Sequence, residues 1–325
     1  MGLRFHHLAA ALWLFVGLFG EVPANADTVP AEYKKIVTFI FPADAQGQLL
    51  RDGNGKPRAW GTGFFVGVKG EDSKSYGYLV TAKHVLKDEK GNDFDRVYLR
   101  LNKKDGDAEF VALDLVVNGK RLVFTHSDQS VDIAVVPRFP TVKFDTTFVP
   151  DEMLSTKATF DEFNIAEGTD AFFVGLFTTY YGEHKNNPIV RFGRVAMFPD
   201  DPITWIDYEG QPEQHARLYL IETGSYGGNS GSPVFFRLGA DRSPKQGYLL
   251  GSYAITFAGV MRGRFNDVSP KIVSIQNPTA SALIALPNVG IAAVTPSYFL
   301  HDILFSEELK KYRADNPVTD TPPGK

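Results

Sequence analysis

The chain sorts into short hydrophobic runs separated by turn-forming polar residues. Residues 35–41, 60–68, 77–81, 95–102, 109–117, 121–124 and 131–136 are rich in β-branched and aromatic side chains, the composition of strands. Asp52-Gly53-Asn54-Gly55 and Lys104-Asp105-Gly106 stand between such runs as turn signals. Residues 137–160, with Pro137, Pro140 and Pro150, read as a connector. A second set of strand-like runs follows at 171–177, 189–198, 218–222, 234–236, 249–257 and 289–294. Near the end the period changes. Thr295-Pro296-Ser297 opens a helix running toward Tyr312, with Leu300, Ile303, Leu304 and Leu309 on its apolar face. The pattern predicts an all-β protein of two antiparallel halves, residues 33–145 and 146–312, the second ending in a C-terminal α-helix. Residues 313–325, with three prolines, are expected to be a disordered tail. A cleft between two such halves is a natural place for a site.

The first 26 residues break this pattern. Arg4, His6 and His7 precede an apolar run from Leu8 to Phe19, and Ala24-Asn25-Ala26 offers small residues where a signal peptidase reads. This predicts a secretory signal cleaved after Ala26, and a secreted or periplasmic bacterial protein. The run is shorter than the roughly 20 apolar residues that span a bilayer, so no stable membrane anchor is expected.

Composition narrows the function further. Basic and acidic residues number 34 and 38, a mild acidic excess that gives no reason to expect nucleic acid as a partner. There is no cysteine, which rules out disulfides, thiolate metal sites and a lipid anchor on cysteine. No histidines pair at ligand spacing, so neither a metal nor an organic cofactor is expected.

Three segments carry chemistry. In Leu79-Val80-Thr81-Ala82-Lys83-His84, an apolar strand delivers a histidine at its tip. In Val131-Asp132-Ile133-Ala134, a carboxylate opens an otherwise apolar strand, where burial demands a partner such as an imidazole. In Gly227-Gly228-Asn229-Ser230-Gly231-Ser232-Pro233, glycines around a serine permit a tight turn whose amides converge. A hydroxyl nucleophile, a base and an orienting carboxylate are what acyl transfer needs.

Together these segments resemble the trypsin-like, chymotrypsin-fold peptidase family, most closely the bacterial secreted branch that includes the HtrA/Deg type. The order His84, Asp132, Ser230, with spacings of 48 and 98 residues, is the family's order. The resemblance implies two antiparallel six-stranded β-barrels, a Ser-His-Asp triad and a serine endopeptidase acting on peptide or protein substrates. It implies an oxyanion hole from the backbone amides of Gly228 and Ser230. Gly61-Thr62-Gly63 resembles the glycine-containing strand that precedes the histidine strand. Gly251-Ser252-Tyr253-Ala254 resembles the strand lining the specificity pocket, with Ser252 bonded to the triad aspartate. Family spacing puts Gly224 near the base of the primary pocket. No acid stands there, which favours a small or apolar residue before the cut over a basic one. No PDZ-like region is expected after the helix.

The sequence departs from the family at three places. Lys83 and Ser232 replace small residues beside the histidine and after the nucleophile. Asn229 replaces the aspartate that captures a new N-terminus in pancreatic-type members, which argues against that activation. The stretch 261–287 is longer than the family core needs. An α/β-hydrolase is disfavoured by triad order and by the serine at position 232. The alternative from another class is a latent or inactive trypsin-like module that binds peptides without turnover.

Overall fold

The computed structural model describes residues 28–70, 74–206, 212–239, 253–266 and 288–317. The signal-like N-terminus, Gly251, Ser252 and most of the stretch 261–287 lie outside these residues.

The first half is an eight-stranded sheet, seven strands antiparallel and one added in parallel. Its order is Glu109–Asp114, Arg96–Leu101, Val37–Pro42, Gly61–Lys69, Ser75–Thr81, Ala134–Val136 and Phe124–Thr125, and Val149–Pro150 pairs with Gly61–Lys69. The central strands Val37–Pro42 and Gly61–Lys69 are buried almost throughout, so they read as unbroken apolar runs rather than alternating ones. The all-β expectation holds here, but this half curves as a half-barrel instead of closing. Asn118 and Gly119, both at positive φ, turn the chain into a separate small hairpin, Val116–Val117 with Lys120–Arg121. That hairpin lies between the two sheet edges in sequence and draws the chain away from pairing them.

The second half is a closed six-stranded barrel. Its order is Asp170–Gly175, Ile189–Met197, Tyr219–Glu222, Asn288–Pro296, Tyr253–Asn266 and Pro233–Gly239. The strand Tyr253–Asn266 changes partner along its length, pairing first with Pro233–Gly239 and then with Asn288–Pro296. Bulges near Gly259 and Met261 bend it between them. A small hairpin, Ile203–Trp205 with Gln214–Ala216, packs Trp205 edge-on against Phe265 of this strand.

Aromatic rings weld the halves. Phe64 of the first meets Phe257 of the second at 5.3 Å, and Tyr33 stands edge-on to Phe172 and Phe235. The single helix expected after residue 296 is two, Ser297–Leu304 and Glu307–Asp315. Ser306 interrupts it by capping the second, its hydroxyl accepting from the Leu309 amide, with Glu307 and Glu308 in the first turn. Both helices pack onto the core of the first half. Leu300, Leu304 and Leu309 are fully buried there, and Arg313 donates to the Tyr78 hydroxyl at 3.0 Å. The connector also holds a short helix, Lys157–Glu162, which begins in a reciprocal cap between Thr156 and Thr159.

Candidate active site

Sheet register brings the histidine to the aspartate. In the pairing of Ser75–Thr81 with Ala134–Val136, Thr81 stands opposite Ala134. Three residues on from Thr81 is His84, in the 3-10 turn Lys83–Leu86, and two residues back from Ala134 is Asp132. His84 Nδ1 lies 2.6 Å from Asp132 Oδ2, and the His84 amide donates to Oδ1 at 2.9 Å. A carboxylate only accepts, so Nδ1 carries the proton and Nε2 presents the lone pair. Asp132 is 1% exposed. Burial by itself would push its carboxyl up. The charge and hydrogen bonds of His84, with the guanidinium of Arg262, outweigh this and hold it well below the usual carboxylate range.

The serine loop is fastened to the first half by Thr62. Its hydroxyl donates to the Gly228 carbonyl at 2.7 Å and accepts from the Leu176 amide at 2.9 Å. The Thr62 amide donates to the Ser230 carbonyl at 2.9 Å, and the Thr62 carbonyl accepts from the Thr81 hydroxyl. Buried Asn229 anchors the loop from within, donating to the Leu176 carbonyl and accepting from the Tyr226 amide. Asn229 is thus satisfied without an N-terminal ammonium. Gly228 and Gly231 hold φ of 90° and 83°, which only glycine adopts without strain. A Cβ on Gly231 would also stand 2.1 Å from the Thr62 carbonyl and 3.1 Å from the Ala82 amide nitrogen. The serine loop is therefore seated directly against the segment that carries His84.

The amides of Gly228 and Ser230 donate to no protein acceptor among the described residues. The Gly227 carbonyl is taken by the Thr178 hydroxyl and the Asn229 carbonyl by the Ser232 amide. Across each trans peptide the following N–H points the other way, leaving two donors free for an oxyanion. The Ser230 hydroxyl donates to the Arg262 carbonyl at 3.0 Å.

The sequence matches the trypsin-like peptidase domain over residues 61–240, more than half of the chain and all three of these segments. The chain belongs to the trypsin-like peptidase family. No curated protein matches it in sequence. Similar solved structures include the protease domain of MamO from Magnetospirillum magneticum, at 11% identity and a TM-score of 0.45, covering 84% of this chain and 97% of that one. Human heparin binding protein is another, at 11% identity and a TM-score of 0.41, covering 90% and 97%.

Within this trypsin-like frame, the strand segment beside Ser230 is not the one expected. Met261 exchanges backbone hydrogen bonds with the loop, its carbonyl accepting from Gly231 and its amide donating to Ser232. That puts residues 262–264 alongside Ser230. Tyr253 and Ala254 pair instead with Gly239 and Leu238, at the far end of the same strand. At about 3.3 Å per residue they lie roughly 20 Å or more from Ser230. Residues 262–264 thus take the place beside Ser230 that was expected of Tyr253 and Ala254, and Ser252 is outside the described residues. The bulges set this register, and no local sequence pattern announces them.

Arg262 occupies the neighbourhood assigned to Ser252. It is 1% exposed, with Nε 3.8 Å from Asp132 Oδ2. Its fork donates to the Ser130 carbonyl at 2.9 Å and to Gln214 Oε1 at 3.2 Å, and its face lies over Trp205. The departures are accommodated. Lys83 reaches away to the Gln129 carbonyl. Ser232 projects against Gly175, where any Cβ would collide with its hydroxyl. That hydroxyl is buried without a hydrogen-bond partner. The sequence reading missed Thr62, despite quoting it between two glycines, and Arg262. Among the described residues no cluster of acidic, histidine or cysteine side chains has the makings of a metal site.

Proposed function

We propose that this chain is an exported serine endopeptidase that cleaves peptide bonds through an acyl-enzyme. One observation carries the reading: the His84–Asp132 pair, with Nδ1 protonated, abuts a serine loop whose two amides are free. In the reaction, Ser230 turns about χ1 from the Arg262 carbonyl to His84 Nε2. His84 takes its proton as the oxygen attacks the substrate carbonyl. The amides of Gly228 and Ser230 receive the oxyanion, and Asp132 stabilises the imidazolium. His84 then protonates the leaving amine. Water repeats the sequence to release the acyl group.

A second reading has its own support. The Ser230 hydroxyl rests on a carbonyl acceptor and a cation stands by Asp132, as in a latent enzyme or a peptide-binding module. A chromogenic ester separates the two. The endopeptidase gives a burst equal to the enzyme concentration, followed by slow turnover, and His84→Ala removes it. A folded protein with neither burst nor turnover contradicts the first reading. Export is supported by the charged start, apolar run and small-residue site of the first 26 residues. The predicted N-terminus of the exported protein is Asp27.

A further inference from the structure

Among the described residues, no hydrogen bond or ion pair neutralises the charge of Arg191. It sits on the barrel strand Ile189–Met197 opposite Phe173, half-buried. Its guanidinium lies 4.6 Å from the ring centre of Tyr226. A Cβ on Gly224 would stand 2.9 Å from its Nη1. Its Nε is enclosed without a hydrogen-bond partner, and no carboxylate or carbonyl among the described residues takes the rest of the fork. The contrast with its neighbours is sharp. Arg194 pairs with Asp170 at 2.9 Å, and Arg100 and Arg262 are each tied by several acceptors. An enclosed, unpartnered Nε carries a desolvation cost, and the aromatic face of Tyr226 offsets it only in part.

The charge is also well placed. The segment Gly224-Ser225-Tyr226-Gly227-Gly228 runs directly into Ser230 and contains no acid. The Thr223 amide fixes its start on the Gly290 carbonyl. By the trypsin-like resemblance this segment, with Gly224 near its base, lines the primary pocket, so a substrate with its carbonyl carbon at Ser230 and its oxygen on the Gly228 and Ser230 amides would direct the side chain of that same residue along it. The missing side chain at Gly224 is what lets the Arg191 fork reach in.

We propose that Arg191 determines specificity by binding the carboxylate of a glutamate or aspartate immediately before the scissile bond. This rests on the peptidase reading and gives its substrate class, in place of the small or apolar preference inferred from Gly224 alone. Arg is suited to the task because its fork meets both carboxylate oxygens.

The test uses the mature protein and fluorogenic peptides that differ only at the residue before the cut. Glutamate should exceed glutamine in kcat/KM by roughly 10- to 100-fold, the worth of a charge-assisted pair. Arg191→Met should erase that ratio, and Arg191→Lys should restore part of it. A second arm needs no turnover. Calorimetry on Ser230→Ala should show N-acetyl peptides ending in glutamate binding more tightly than those ending in glutamine, and Arg191→Met should abolish the difference. Cleavage indifferent to glutamate over glutamine overturns the proposal and leaves the peptidase reading intact. No turnover of any peptide, with Arg191-dependent binding of the glutamate peptide, upholds the pocket and overturns the peptidase reading instead.

Discussion

The guanidinium of Arg262 stands 3.8 Å from the carboxylate of Asp132, in a place closed to solvent. His84 approaches the same oxygen at 2.6 Å. The aspartate is thus shared between the imidazole it orients and a permanent cation. Removing one partner of a buried charge pair leaves the other uncompensated. Arg262→Met should therefore destabilise the fold by about 3 kcal/mol, read as a lower urea midpoint at unchanged slope. Arg262→Lys should recover little, because one ammonium cannot serve Ser130 and Gln214 at once. A neutral Arg262→Met would mean that the cation contributes nothing to the buried carboxylate.

The depressed Asp132 carboxyl has a defined sign in acid. Its folded pKa lies below its unfolded value, so the unfolded chain takes up that proton first as pH falls. The stability it contributes is fully present above the unfolded pKa, about 3.9, and is lost as pH falls toward the folded one. Urea midpoints at about pH 6 and about pH 3 should drop further for wild type than for Asp132→Asn, which cannot titrate. Equal drops would remove Asp132 from the acid transition.

Ser232 offers a stabilising change. Its hydroxyl is buried without a partner, and removing an unsatisfied polar group is favourable. Ser232→Ala should raise stability by about 1 kcal/mol, or roughly 1–2 °C in Tm for a chain of this size, with activity retained. A lower Tm by calorimetry would indicate that the hydroxyl has a role.

Thr62 tests how the loop is held. Thr62→Val keeps the shape but strands the Leu176 amide and frees the Gly228 carbonyl, at a cost of about 1–3 kcal/mol. The reactivity of Ser230 toward an acylating probe should fall about tenfold with the protein still folded. Unchanged reactivity would mean that the Gly228–Asn229 peptide holds its orientation without the clamp.

What was legible in the sequence is what is local. His84 at a strand tip, Asp132 opening a strand and Ser230 among glycines are each fixed by their immediate neighbours, and one register then joins the first two. The positions that depend on long-range pairing were not legible. The strand beside Ser230 was misplaced by several residues, because bulges at Gly259 and Met261 decide which residues face the loop. Arg262 reads as one more charge on a strand until its burial against Asp132 is known. The break between the two C-terminal helices was readable in Ser306-Glu307-Glu308, a cap signal overridden by the apolar period on either side.

In the proposed function, Ser230 is a nucleophile served by His84 and Asp132. The most direct measurement is fluorophosphonate labelling of the purified mature protein beside Ser230→Ala, read by intact mass and peptide mapping. One adduct is expected on the wild type, located at Ser230, and none on the variant. Folded wild type that takes no adduct, or equal labelling of both proteins, would contradict it.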